Sequence, residues 1–242
     1  MSIILIIMPR VARKAPGGIV YHVLNRSNGN AKLFKSEEDF LAFEKVLLAA
    51  WKRVAVRILC WCVMPDHWHL VIWPKRDGEL TAFMRWLTLT HTQRWKQAHR
   101  AVGKGHLYQG RFKSFPIEEG EHLQTVVRFV ESNPLRSKLV RKVEHWRWGS
   151  LVVWQAPSHD LRPLLSQWPI RRPPRWAKLV NASQNDAEVR QLKEHIRRNR
   201  PLGSERWMRE IAKALNLEQS LRPRGRPKGW RKPHVARRKR AP

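Results

Sequence analysis

Apolar positions alternate along this chain between short runs with period two and longer stretches with helical period. After the Pro16-Gly17-Gly18 turn, Ile19-Val20-Tyr21-His22-Val23-Leu24 predicts a strand, and Asn25 to Asn30 reads as a loop. Ser36, followed by Glu37, Glu38 and Asp39, supplies an N-cap and an acidic first turn for a helix. Its apolar stripe is Phe40, Phe43, Val46, Leu47 and Ala50. Val54 to Val63 and His67 to Trp73 predict two strands joined across the Met64-Pro65-Asp66 turn. Pro74 to Gly78 interrupts the pattern. A second helix from about Glu79 to Arg100 turns Leu80, Phe83, Met84, Leu87 and Trp95 inward and shows Arg85, Arg94, Lys96 and Arg100 on its other side. Beyond the flexible Gly103-Lys104-Gly105, residues 106–115 predict a short irregular strand. A third helix starts near Glu118 and ends about Asn133, because the residue before Pro134 is pushed out of the helical region.

The order strand–helix–strand–strand–helix–strand predicts an α+β fold of the ferredoxin-like, split βαβ type. Helices would cover one face of its antiparallel sheet and leave the other open to a strand of nucleic acid. Around this domain (16–155) the sequence predicts an N-terminal extension (1–15) and a proline-rich linker (156–183). A small helical segment (184–220) and a disordered basic tail (221–242) complete a partly helical C-terminal extension.

Charge narrows the partner. The 242 residues carry 48 lysines and arginines against 19 aspartates and glutamates, a formal net charge of +29. Such a chain repels itself unless a polyanion neutralises it, and nucleic acid is the favoured one. Two cysteines, Cys60 and Cys62, are too few for a cysteine-rich zinc framework and read as reduced and buried in a cytosolic, nucleoid-associated protein. The apolar run from Ile3 to Met8 is too short to span a bilayer, so no membrane partner is expected, and Met8 reads as a natural start. Near the end, Pro223-Arg224-Gly225-Arg226-Pro227-Lys228 resembles an AT-hook, in which Arg224 and Arg226 would reach into a narrow minor groove; a generic phosphate-binding tail fits the same residues.

The stretch with most chemistry is Met64-Pro65-Asp66-His67-Trp68-His69. In a strand, residues i and i+2 share a face, so His67 and His69 project side by side while Trp68 turns to a core. Two imidazoles on a stiff strand make half of a metal site; two structural histidines would give the same spacing.

Four further segments extend this one: Ala15-Pro16-Gly17-Gly18-Ile19-Val20-Tyr21-His22, Gly105-His106-Leu107-Tyr108-Gln109-Gly110-Arg111-Phe112-Lys113, Arg128-Phe129-Val130-Glu131-Ser132-Asn133-Pro134-Leu135-Arg136 and Trp146-Arg147-Trp148-Gly149-Ser150. Over roughly residues 9–154 the chain resembles the HUH single-strand transposases, in the branch called REP-associated tyrosine transposases. The resemblance implies cutting and rejoining of single-stranded DNA beside short hairpins. It implies a divalent metal, Mg²⁺ or Mn²⁺, held by His67, His69 and Asn133, and leaves a homodimer open. It also implies a tyrosine nucleophile four residues before the asparagine, where this chain has Phe129. A phenyl ring has no hydroxyl to attack phosphorus. Tyr108 is a candidate substitute, and a metal-bound water is another. Arg85, Arg94, Arg111 and Lys113 are the expected DNA-binding face. A non-enzymatic DNA- or RNA-binding regulator on the same scaffold is the competing expectation.

Overall fold

The computed structural model describes residues 14–223; the AT-hook-like Arg224 and Arg226 lie outside the described residues, as does nearly all of the N-terminal extension. Four strands form one antiparallel sheet: β1 (Val20–Arg26), β2 (Arg57–Met64), β3 (His67–Trp73) and β4 (Lys113–Ile117), in the spatial order β2-β3-β1-β4. Helices α1 (Glu37–Arg53) and α2 (Glu79–Ala98) make the two crossovers, so the split βαβ topology is the one the sequence predicts.

Local chemistry explains the elements. The Asp39 carboxylate accepts from the backbone N–H groups of Lys35 (2.8 Å) and Ser36 (3.3 Å), closing the N-terminus of α1. β2 and β3 form a tight hairpin, with Met64 paired to His67 across Pro65-Asp66. β1 enters the sheet beside the 74–77 turn so closely that a Cβ on Gly17 would lie 2.4 Å from the Lys75 carbonyl oxygen; only glycine fits there.

Two expectations about the sheet are corrected. The fourth strand is 113–117 rather than 106–115, and it runs through Pro116. A proline lacks the ladder N–H but is tolerated in a terminal strand, which β4 is. The sheet, moreover, has no open face. On one side Tyr21, Val23, Trp61, Trp68 and Leu70 pack with Phe43, Leu47, Phe83 and Leu87 of α1 and α2. On the other, Val20, Leu59, Cys60, Val71, Phe115 and Ile117 pack against α3 (Glu121–Glu131).

The polypeptide beyond α3 completes this second layer. It runs through α4 (Asn133–Arg136), α5 (Ser150–Gln155), α6 (Trp176–Asn181), α7 (Asp186–Arg198), α8 (Glu205–Leu215) and α9 (Glu218–Leu221). The stretch expected as a proline-rich linker is packed instead: Trp168 and Trp176 are buried in the second core, and the Trp168 indole donates to the Leu59 carbonyl at 3.1 Å. The same polypeptide bonds to the outer edge of β2 and to the end of β4. Val63 N–H donates to Trp148 O (2.9 Å) and Ser166 N–H to Ile58 O (2.8 Å) beside β2, while Leu202 brackets the end of β4. Among the described residues no helix is long and apolar enough to cross a membrane.

Candidate functional site

β1, β3, the 109–113 segment, the C-terminal end of α3, α4 and α7 converge on one cleft of about 610 Å³. His67 and His69 of β3 lie in its wall with ring centroids 4.9 Å apart, and Phe129, Asn133 and Arg136 face them from α3 and α4. The period of two puts both imidazoles on the α3 side of the sheet and Trp68 in the opposite core, fully buried. The Phe129 ring meets His69 edge-on at 6.1 Å.

Each histidine is held through Nδ1. The Asp66 carboxylate accepts from His67 Nδ1–H at 2.6 Å, an interaction that holds the Asp66 carboxyl below its ordinary range. His69 Nδ1 lies 2.8 Å from Nε2 of His22 on the neighbouring strand. His22 is fully buried, and its ring is also packed against Phe115 with centroids 5.0 Å apart. Burial first, and the neighbouring His67 second, push the His22 imidazole down to about 3; burial likewise holds His69 well below its usual value. Both rings are neutral at pH 7, the form that ligates metals. Neither His67 Nε2 nor His69 Nε2 has a hydrogen-bond partner among the described residues.

Asn133 sits on α4, just past the break at Ser132. Its Oδ1 accepts from Arg136 Nη2 at 3.0 Å, and its buried Nδ2 has no partner among the described residues. Arg136 lies over the Phe129 ring, its guanidinium carbon 4.0 Å from the centroid. Its other donors reach Phe129 O (2.7 Å), Gln184 Oε1 (3.2 Å) and Ser132 Oγ. Burial lowers this guanidinium to about 10, which leaves it charged at neutral pH.

The donor set suits a divalent cation in kind: two imidazoles and one amide oxygen. It brings no negative charge. Among the described residues no cluster of three or more His, Cys, Asp or Glu side chains is placed to hold a metal.

The expected cationic residues divide between places. Arg111 and Lys113 line the histidine cleft. Arg85 lines a second groove of about 980 Å³ along α2, which shares Asn25, Gln109, Gly110 and Arg111 with the first. Arg94 is exposed on α2 and lines neither. Tyr108 is not in the histidine cleft. Its hydroxyl is buried in the opposite core, accepting from Trp68 Nε1 at 3.0 Å and donating to His91 Nδ1 at 2.6 Å, and burial raises it far above its ordinary value. A phenol so buried and so committed cannot reach a phosphodiester beside His67.

Sequence reasoning missed four groups: His22, Arg26, Arg136 and Lys193. His22 was concealed in an apolar strand, where alternation alone gave it the same face as the second core. Lys193 comes from α7, which docks through buried Val189, Leu192 and His195 and so brings a distant segment to the cleft.

Comparison with known proteins places part of the chain beside one family. The family model described as "Transposase IS200 like" matches residues 17–133, a span that holds β1 to α3 and all three candidate donors. No curated protein sequence matches. Among solved structures, a REP-associated tyrosine transposase bound to a REP hairpin is similar at 18% identity and a TM-score of 0.48, over 69% of this chain and 96% of that one. A protein assigned as a transposase from Deinococcus radiodurans R1 is similar at 15% identity and a TM-score of 0.37, over 50% of this chain and 91% of that one. The family match spans the sheet, the histidine pair and the helix that faces it, so residues 17–133 are similar to the IS200-like transposases.

Proposed function

We propose that this chain binds single-stranded or hairpin DNA in the histidine cleft, as a transposase of the REP-associated branch whose covalent step has been lost. The observation that carries the reading is electrostatic. Arg26, Arg111, Lys113, Arg136 and Lys193 line the cleft, and no carboxylate lines it among the described residues. A concave site with five cations and no acid is complementary to a phosphodiester.

His67, His69 and Asn133 would hold the divalent metal that the family uses, Mg²⁺ or Mn²⁺, with imidazole donors favouring Mn²⁺ of the two. Such a metal supplies polarisation of the scissile phosphate and stabilises charge on its oxygens. The protein's own residues orient the donors. Asp66 fixes the His67 ring so that Nε2 carries the free lone pair. For His69 to present the same nitrogen, its Nδ1–H must donate to His22 Nε2. His22→Phe removes that acceptor while keeping an aromatic ring against Phe115; Mn²⁺ affinity should fall about 10- to 100-fold with the fold retained. Titration of Mn²⁺ into both proteins checks this, and equal affinities would remove His22 from the site.

A DNA partner implies a cytoplasmic, nucleoid-associated setting. The bonds to the outer edge of β2 and to the end of β4 favour a protein that works without pairing strands with a second copy.

The test of the reading is binding of a hairpin oligodeoxynucleotide with single-stranded flanks, measured against salt. Each neutralised phosphate on a single strand contributes about −0.7 to the log–log slope, so five cleft cations give a slope of roughly −3 or steeper. Lys193→Gln should flatten it by about 0.7. Affinity indifferent to salt would contradict the proposal.

A further inference from the structure

Resting on that reading, we propose that the cleft takes up its divalent cation and a phosphodiester as a linked pair, with Arg136 as the group that couples them.

The argument starts from Arg136, whose four terminal N–H groups point to Ser132 Oγ, Gln184 Oε1, Phe129 O and Asn133 Oδ1. All four acceptors are neutral. No carboxylate is among its hydrogen-bond partners, and those of Glu131 and Asp66 are engaged elsewhere. Glu131 accepts from Ser150 Oγ and Trp176 Nε1, both at 2.6 Å. Asp66 is bound to His67 and faces Arg26 at 3.6 Å. The charge of Arg136 is therefore uncompensated inside a largely enclosed site, and a charge in that position has a strong demand for an anion.

The same guanidinium grips the amide oxygen that would be the metal's third protein donor. An amide oxygen has two lone pairs, so Asn133 can accept from Arg136 and face a metal at once. A dication held there would lie close to the guanidinium, with Arg26, Arg111, Lys113 and Lys193 also lining the cleft. Without an anion, the metal would enter a cleft lined by five cations, beside a single carboxylate, Asp66, already bound to His67 and Arg26. A phosphate placed beside both would attract each and offset part of their mutual repulsion. Metal and phosphodiester must then raise each other's affinity, and by the same factor, since linkage is reciprocal.

The experiment measures Mn²⁺ affinity from the electron paramagnetic resonance signal of free Mn²⁺, with and without a saturating hairpin oligonucleotide, correcting for Mn²⁺ bound by the oligonucleotide alone. A tightening of about ten-fold or more is expected, within the usual range of coupling between two sites. Oligonucleotide affinity with and without Mn²⁺ should change by the same factor. Arg136→Gln keeps polar contacts but removes the charge; it should bind Mn²⁺ several-fold more tightly alone and lose most of the coupling. Arg136→Lys retains the charge and should retain the coupling. Oligonucleotide binding without metal, already the test of the cleft's function, is read in the same series. If that binding holds but Mn²⁺ affinity is unchanged within two-fold by DNA, or no Mn²⁺ binds even with DNA present, the linkage is wrong and the cleft assignment stands. If Arg136→Gln couples as strongly as the wild type, Arg136 is not the coupling group.

Discussion

Phe129→Tyr is expected to turn a protein that forms no covalent DNA adduct into one that does. Phe129 lines the cleft with Asn133, its ring is edge-on to His69, and it stands where the resemblance implies a tyrosine. The phenol oxygen would attack phosphorus and release the 3′ oxygen of the neighbouring nucleotide, which takes up a proton; the product is a 5′-phosphotyrosine link that survives denaturation. Arg136, 4.0 Å from the ring centroid, favours the ionised phenol that attacks. Incubation with Mn²⁺ and a hairpin oligonucleotide, followed by denaturing gel electrophoresis, checks this. An adduct from the wild type would show that another nucleophile operates. Tyr108 would be the wrong place to seek it, because its hydroxyl is bound between Trp68 and His91. A variant that binds DNA but forms no adduct would mean that the site has lost more than one hydroxyl.

The largest stability effect should come from Glu131→Ala. Glu131 lies on α3 two residues past Phe129, fully enclosed, and burial raises its carboxyl above the usual range. Its two oxygens accept from Ser150 and from the Trp176 indole, so one side chain ties α3 to α5 and α6. Removing it strands both donors in a dry core and leaves a cavity. Each stranded group costs about 1–3 kcal/mol, so a loss of roughly 3–4 kcal/mol is expected. For a domain of this size that is about a 10 °C fall in Tm. Glu131→Gln keeps one acceptor oxygen and should lose less. The second core carries α7 and Lys193, so the Ala variant should also weaken DNA binding at temperatures where the wild type is fully folded. A Tm within 2 °C of the wild type would show that α3 and the following polypeptide are held by other contacts.

What the sequence discloses of this protein depends on how local the cause is. The βαββαβ order is legible because each element has its own period and its own punctuation, such as Ser36 with Asp39 or Pro65-Asp66. The histidine pair is legible for the same reason: spacing by two on a strand fixes a shared face. Phe129 and Asn133 came only through resemblance, since nothing in an amphipathic helix marks which of its residues will face His69. The covered second face was not legible. Trp168 and Trp176 lie among prolines, whose local preference for extended chain looks like a linker, while the energy that seats them comes from the distant β2 and α3. Lys193 reaches the cleft by the same long-range docking, and Arg136 matters through acceptors spread over residues 129–184. Charge counting revealed the polyanion but not its address. Arg94, as basic as Arg111 in sequence, faces solvent elsewhere.

The central claim is that both imidazoles and a phosphodiester meet one divalent cation in this cleft. Pulsed electron paramagnetic resonance of Mn²⁺ bound to the protein–hairpin complex reads the ion's neighbours directly. The account predicts ¹⁴N couplings from two histidines, lost stepwise in His67→Ala and His69→Ala, together with a ³¹P coupling from the DNA. A ³¹P coupling without ¹⁴N, in a complex that still holds the hairpin, would place the metal on the DNA alone and contradict it.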